Sequence, residues 1–164
     1  VGSEMCIRDS WGEEPALWEI SHIAGHRFAP AFMTLPGNYM YGRLTPEEAI
    51  AVASAARQGY IDLTKLRGRT SLDAPAQAAE LVVAQVLARE SQLLTPGLLK
   101  ATTLVKRTLP RGGDEAEVRV IHPEGRVWNV VLRTVQLPPR PQSCGASPKP
   151  CWSWQLYSLH EVSE

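Results

Sequence analysis

A change in hydrophobic period at Thr95, Pro96 and Gly97 divides the sequence into two parts. After this point apolar and polar residues alternate, which predicts half-buried strands because successive strand side chains point to opposite faces. Val118 and Val120, for example, alternate with charged neighbours. The predicted strands cover residues 101–109, 116–121, 126–135 and 152–159, with a proline-rich loop at 137–150. Trp152, Trp154 and Leu156 would share one face of the last strand.

Two helices are predicted before this change of period. The first has Thr45 as N-cap, Pro46 as its first residue, Glu48 completing a capping box and Gly59 as the expected C-cap. Its apolar stripe consists of Ala49, Val52, Ala53 and Ala56. The second runs from about residue 74 to 90 behind Asp73 as N-cap. Its predicted face consists of Ala78, Leu81, Val82, Gln85, Val86 and Arg89, and residues 60–70 read as a connection.

A hairpin is predicted ahead of the first helix. Two β-rich runs, 28–35 and 39–44, flank Pro36, Gly37 and Asn38, which are turn-forming residues. A further short strand is expected at residues 16–20. The order of strand, hairpin, two helices and antiparallel meander predicts an α/β or α+β domain.

The balance of charged residues argues against nucleic-acid and anionic-membrane partners. Seventeen Lys and Arg residues balance seventeen Asp and Glu residues, whereas nucleic-acid-binding and anionic-membrane-binding surfaces are usually basic. No apolar run is long enough to span a bilayer, and no secretory signal is evident. We therefore expect a cytoplasmic protein with neither a nucleic-acid nor a membrane partner.

The first ten residues, VGSEMCIRDS, resemble a translated sequencing adapter. Residues 1–10 are therefore treated as a non-native segment, and Cys6 is not considered as a ligand. The two remaining cysteines, Cys144 and Cys151, do not make a disulfide framework in a cytoplasmic chain.

The segment SHIAGHRFAP contains two histidines, His22 and His26, on either side of Gly25. Neutral imidazole is a good ligand for iron, zinc and copper, and a glycine between the histidines lets the backbone approach a bulky cofactor closely. The pattern differs from the metalloprotease HExxH, because Ile23 occupies the position of the glutamate. Two interpretations of His22 and His26 remain open: they are metal ligands, or they are surface histidines that form hydrogen bonds with backbone carbonyls.

The segment WEISHIAGHRFAPAFMTLPGNYMYGRLTPEEA resembles the sucrase/ferredoxin-like family, which consists of thioredoxin-like [2Fe–2S] ferredoxins. LRGRT and SCGASPKPCWSWQLYSL, further along the chain, are also similar to the family. The matching positions in the first segment are Trp18, Ser21, His22, Gly25, His26, Arg27, Phe28, Ala29, Leu35, Pro36, Gly37, Tyr41, Gly42 and Arg43.

This resemblance implies an electron-transfer protein whose cluster is held by His22 and His26 and by two cysteines from an upstream segment that is absent here. Residues 11–95 would form a thioredoxin-like ferredoxin portion truncated at its N-terminus, and 96–164 a β-rich extension. Gly25 would lie close to the cluster. Arg27 would either stabilise the reduced cluster or pair with a surface carboxylate. Imidazole in place of thiolate removes negative charge and raises the reduction potential, as in Rieske centres.

The sequence is also compatible with other functions. His22, His26, Cys144 and Cys151 have the ligand composition of a structural zinc site. A non-redox interaction module would use the tryptophans, although tryptophans at alternating strand positions are expected in the core. The basic residues Lys65, Arg67 and Arg69 would bind a phosphate or an acidic redox partner, or form a solvated loop. No hydrolase, P-loop or dinucleotide-binding motif is present, so a non-enzymatic electron carrier is favoured over an enzyme.

Overall fold

The computed structural model describes Trp18, Ile20, Ile23, residues 26–141 and residues 145–162. This part of the chain is a mixed α/β structure with two antiparallel sheets and two helices. After a short 3₁₀ turn at His26–Phe28, its elements are β1 (Ala31–Thr34), β2 (Tyr39–Gly42), α1 (Pro46–Arg57), β3 (Leu66–Arg69), α2 (Ala74–Arg89), β4 (Lys100–Thr108), β5 (Asp114–Ile121), β6 (Val127–Arg140) and β7 (Lys149–Val162). The strand expected at 16–20 falls mainly outside the described residues.

The first sheet has the order β1-β2-β3 and contains the predicted hairpin. β1 and β2 are antiparallel, with Phe32 opposite Tyr41. β3 was not predicted, so the reading of 60–70 as a connection is wrong over Leu66–Arg69. Its sequence, LRGR, is too short and too basic to show a clear apolar period.

Helix α1 confirms the predicted capping box. The Thr45 hydroxyl accepts a hydrogen bond from the Glu48 backbone N–H, and the Glu48 carboxylate accepts one from the Thr45 backbone N–H at 2.7 Å. At the other end, the C-cap is Gln58 rather than the expected Gly59, which follows it with a φ of 81°. Ala49, Val52 and Ala53 are buried, which accounts for three of the four residues in the predicted stripe, and Ala49 and Val52 pack in one cluster with residues of the hairpin.

The second sheet is the predicted meander, β4-β5-β6-β7, with α2 packed on one face. Val118, Val130 and Leu132 are almost completely buried beneath the helix. The predicted loop at 137–150 is too long, because β6 continues to Arg140 and β7 begins at Lys149. A register shift between Leu137 and Arg140 accommodates the two intervening prolines, which cannot donate to a regular ladder.

The predicted face of α2 is wrong. The helix and its Asp73 N-cap were predicted correctly, but the buried residues are Pro75, Ala76, Ala79, Glu80, Val83, Ala84 and Leu87. Both faces of this helix carry apolar residues, so periodicity alone does not choose between them. The alanine-rich face lets the helix approach the sheet closely, and large side chains such as Trp128 fill the space between them.

The tryptophans divide between core and surface. Trp128 is only 1% exposed, as expected of a core residue, and Trp154 is partly buried. Trp152 is 51% exposed, which corrects the expectation that it is core. Its strand partner is the exposed Gln136, beyond the last fully buried position of β6 at Leu132. Neither helix in the described part of the chain is long and apolar enough to cross a membrane.

Candidate functional site

The predicted ligand segment is described only at its end. His22, Gly25 and Cys144 lie outside the described residues. His26 begins the 3₁₀ turn, but its side chain is also outside the described set. Arg27 and Cys151 are described, so the surroundings of the turn can be built from them and from the first sheet.

Arg27 contacts a cysteine from the far end of the chain. Its Nη1 donates a hydrogen bond to Cys151 Sγ at 3.1 Å, and its guanidinium carbon lies 4.7 Å from the centroid of the Phe28 ring. Cys151 is buried near the start of β7. Within the described ranges no carboxylate pairs with Arg27, although a surface ion pair was one of its two predicted roles. The contact brings Cys151 next to the residue that follows His26.

Three arginines converge on Phe28, and we call them the Phe28 arginine cluster. The guanidinium carbons of Arg67, Arg27 and Arg43 lie 3.6, 4.7 and 5.6 Å from the ring centroid. A cation over an aromatic face is attracted by the ring's quadrupole. The ring therefore holds three positive charges beside the turn that contains His26.

Backbone geometry places this cluster. Arg43 follows β2 in a left-handed conformation, with φ of 61°, and its backbone N–H lies within hydrogen-bonding distance of the Phe28 and Pro30 carbonyls. Its Nη2 also donates to the Arg27 carbonyl at 3.0 Å. A Cβ at Gly42 would lie 3.0 Å from Phe28 Cβ and 3.1 Å from Arg67 Cδ. Glycine at this position is what allows Phe28 and Arg67 to meet over the sheet.

The three residues of the predicted basic loop, Lys65, Arg67 and Arg69, have three different environments. Lys65 is neutralised by Glu48, with 2.6 Å between Nζ and Oε2. Arg67 lies in the Phe28 arginine cluster, where partial burial and then the charge of Arg27 lower its pKa. The guanidinium of Arg69 enters a buried ion pair. The prediction of a solvated basic loop is therefore wrong for Arg69.

Glu80 is the buried partner of Arg69. Arg69 Nη2 lies 2.7 Å from Glu80 Oε1, and it also donates to the Leu99 carbonyl at 3.0 Å. Arg69 Nε and Glu80 Oε1 have no hydrogen-bond partner among the described residues, so the contact between the two side chains is mainly electrostatic. Burial outweighs the attraction of Arg69 and raises the pKa of Glu80 to about 7.

A small cavity adjoins this ion pair. It has a volume of about 20 Å³ and is lined by Glu80, by Tyr39 and by apolar side chains such as Leu94 and Leu99. A space of this size holds about one water molecule. Burial also raises the pKa of Tyr39, whose hydroxyl accepts a hydrogen bond from the Gly97 backbone N–H. Sequence reasoning missed Glu80. The available signal was a single carboxylate in line with Ala76, Ala79 and Val83 on a helical face.

A second hollow, of about 340 Å³, lies on the meander and is lined by residues of β4, β5, β6 and β7. Its walls include the rings of Trp152 and Trp154, and Lys106 Nζ lies 5.7 Å from the Trp154 ring centroid. Asp114 is already engaged there, because it accepts a hydrogen bond from the Thr108 hydroxyl at 2.9 Å. This is the surface that a non-redox interaction module would use.

The described residues contain no group of three or more His, Cys, Asp or Glu side chains that would hold a metal ion. No family model, no curated protein and no solved structure matches the chain. The resemblance to the sucrase/ferredoxin-like family and the metal-ligand roles of His22 and His26 thus stay predictions.

Proposed function

We propose that this chain belongs to a cytoplasmic, thioredoxin-like [2Fe–2S] electron-transfer protein that serves a separate redox partner. The proposal rests on the sequence motifs between Trp18 and Arg43, which occur in the same order as in the family. The hairpin and the capped helix expected to follow the histidine segment are both present, at β1, β2 and α1. They form a packed scaffold directly behind the turn that begins at His26.

In this proposal His22 and His26 bind one iron, and the two cysteine ligands come from another segment of the intact protein. The [2Fe–2S] centre would supply one-electron chemistry. The Phe28 arginine cluster supports the assignment electrostatically, because positive charge near a redox centre favours its more negative, reduced state. Arg27 is the nearest described contributor in sequence. Its contact with Cys151 also holds β7 beside the turn.

Anaerobic iron–sulfide reconstitution of the complete open reading frame tests the proposal. We expect a coloured protein with the visible absorption of a [2Fe–2S] centre, and we expect the colour to be lost in His22→Ala and His26→Ala. His160→Ala is the matched control, because His160 is an exposed histidine on β7. A colourless wild-type protein, or a colour that survives both ligand substitutions, would show that the histidines hold no cluster.

A structural zinc site is the second candidate, and the position of the Cys151 thiol, which accepts a hydrogen bond from Arg27, is the observation that favours it. This contact places one of the two candidate thiols beside the His26 turn. Zinc analysis of the purified chain, together with the variants Cys151→Ser and His26→Ala, separates the two candidates. One zinc ion per chain that is lost in both variants would support zinc. The zinc site ranks second because the guanidinium at Cys151 would repel a divalent cation.

A further inference from the structure

We propose that the Phe28 arginine cluster is a binding site for a phosphate group, either free or carried by a small molecule. The inference goes beyond electron transfer, and it does not require the protein to carry an iron–sulfur centre. It begins from the convergence of Arg27, Arg43 and Arg67 on one ring. In the described part of the chain, none of the three forms an ion pair with a carboxylate.

Like charges held this close repel one another unless an anion lies between them. The lowered pKa of Arg67, to which the charge of Arg27 contributes, is a sign of that repulsion. Lys65 contributes little to the local excess of charge, because Glu48 pairs with it. The unbalanced charge is therefore concentrated on the three guanidinium groups.

The arrangement leaves hydrogen-bond donors available. An arginine that lies over an aromatic ring uses the face of its guanidinium, so its N–H groups, which lie in the guanidinium plane, remain free to bind an oxyanion. Arg67 lies closest to the ring, and none of its donors is hydrogen-bonded to another described residue. Arg43 is fixed by its bonds to the Arg27 carbonyl, so the site is ordered without its ligand.

The compactness of the site favours phosphate over an acidic protein surface. Forked guanidinium donors match phosphate oxygens in pairs, and a phosphate carries up to two negative charges on one small group. Carboxylates on a protein carry one charge each and are spread over a wider area. A cluster centred on a single ring is better matched by the smaller and more highly charged group.

The proposal is tested by titrating the full chain, purified without iron–sulfide reconstitution, with inorganic phosphate and with pyrophosphate at low ionic strength. Binding is monitored by amide NMR. We expect saturable shifts centred on residues 27–28, 42–43 and 67. Loss of a charge-assisted hydrogen bond should weaken binding about tenfold or more in Arg67→Gln. Arg67→Lys should recover only part of the affinity, because it keeps the charge but loses the fork. Arg119→Gln, an exposed arginine on β5, is the matched control.

A charge-neutral variant separates specific geometry from general attraction. Gly42→Ala should weaken phosphate binding by displacing Phe28 and Arg67 without altering net charge, and its fold is checked by circular dichroism. Equal weakening in Arg67→Gln and Arg119→Gln would overturn the proposal, since it would indicate non-specific attraction. Shifts with polyglutamate but none with either phosphate would also overturn it, in favour of an acidic protein partner. The chain is purified without iron–sulfide reconstitution, so neither result depends on whether the protein carries an iron–sulfur cluster.

Discussion

Glu80 should make the stability of this protein depend on pH in the opposite sense to most carboxylates. Its side chain is 7% exposed, and burial raises its pKa from 4.5 to about 7 despite the Arg69 guanidinium 2.7 Å away. The folded state therefore binds this proton more tightly than the unfolded state does. The resulting contribution to stability is complete below pH 4.5 and is lost as the pH rises through 7.

The magnitude follows from the two pKa values. Between about pH 5 and pH 8, a carboxyl whose pKa is about 7 when folded and 4.5 when unfolded loses about 2.5 kcal/mol of unfolding free energy. Glu80→Gln removes the titration and keeps the side-chain shape. The substitution also lowers the unfolding free energy by an amount that does not depend on pH, which includes any weakening of the contact with Arg69. This amount cancels when the same protein is compared at the two pH values.

Urea unfolding measures this difference, with the fluorescence of buried Trp128 as one probe. The fall in unfolding free energy from about pH 5 to pH 8 should be about 2.5 kcal/mol larger in wild type than in Glu80→Gln. Glu117→Gln, which replaces a carboxylate that is 44% exposed on β5, should leave the wild-type profile unchanged. Parallel profiles for wild type and Glu80→Gln would refute the reasoning, because the ion pair would then keep Glu80 charged throughout.

Four further substitutions test the packing and capping described above. Thr45→Ala removes the capping-box hydroxyl and should lower the unfolding free energy by about 1 kcal/mol in urea titration. Leu132→Ala, at a completely buried position, should cost about 2–5 kcal/mol in the same assay. Gly68→Ala should lower the melting temperature, because the residue has a φ of 130° and its new Cβ would lie 2.9 Å from Gln77 Oε1. Arg126→Ala breaks exposed ion pairs with two glutamates and should have a small effect that shrinks in high salt, as followed by thermal melting.

The elements that sequence reasoning predicted correctly are those with strong local signals. The capping box at Thr45 and Glu48 is a purely local arrangement, and so are the turn residues between β1 and β2. The buried face of α2 required knowledge of the partner surface. Alanines that look neutral in sequence face the sheet, whereas the larger Leu81 and Val82 are only partly buried. Close packing, rather than hydrophobicity, decided that orientation.

The charged sites were harder to predict, because their members are far apart in sequence. Arg27 and Cys151 are separated by 124 positions, and no local pattern links them. Arg67 and Arg69 have similar sequence surroundings, yet one lies over an aromatic ring and the other enters a buried ion pair. Their difference comes from Phe28 and Glu80, which belong to other elements.

Strand β3 connects both charged sites, although it was the one strand of the first sheet that sequence reasoning missed. Arg67 joins the Phe28 arginine cluster, and Arg69 joins Glu80 on α2. Gly68 between them has to be a glycine, because a Cβ there would clash with Gln77 of the same helix. The close approach of β3 to α2 therefore places Arg69 at the buried acid, while Arg67 lies over the Phe28 ring. A strand with such a short and basic sequence is explained by these two roles better than by intrinsic strand propensity.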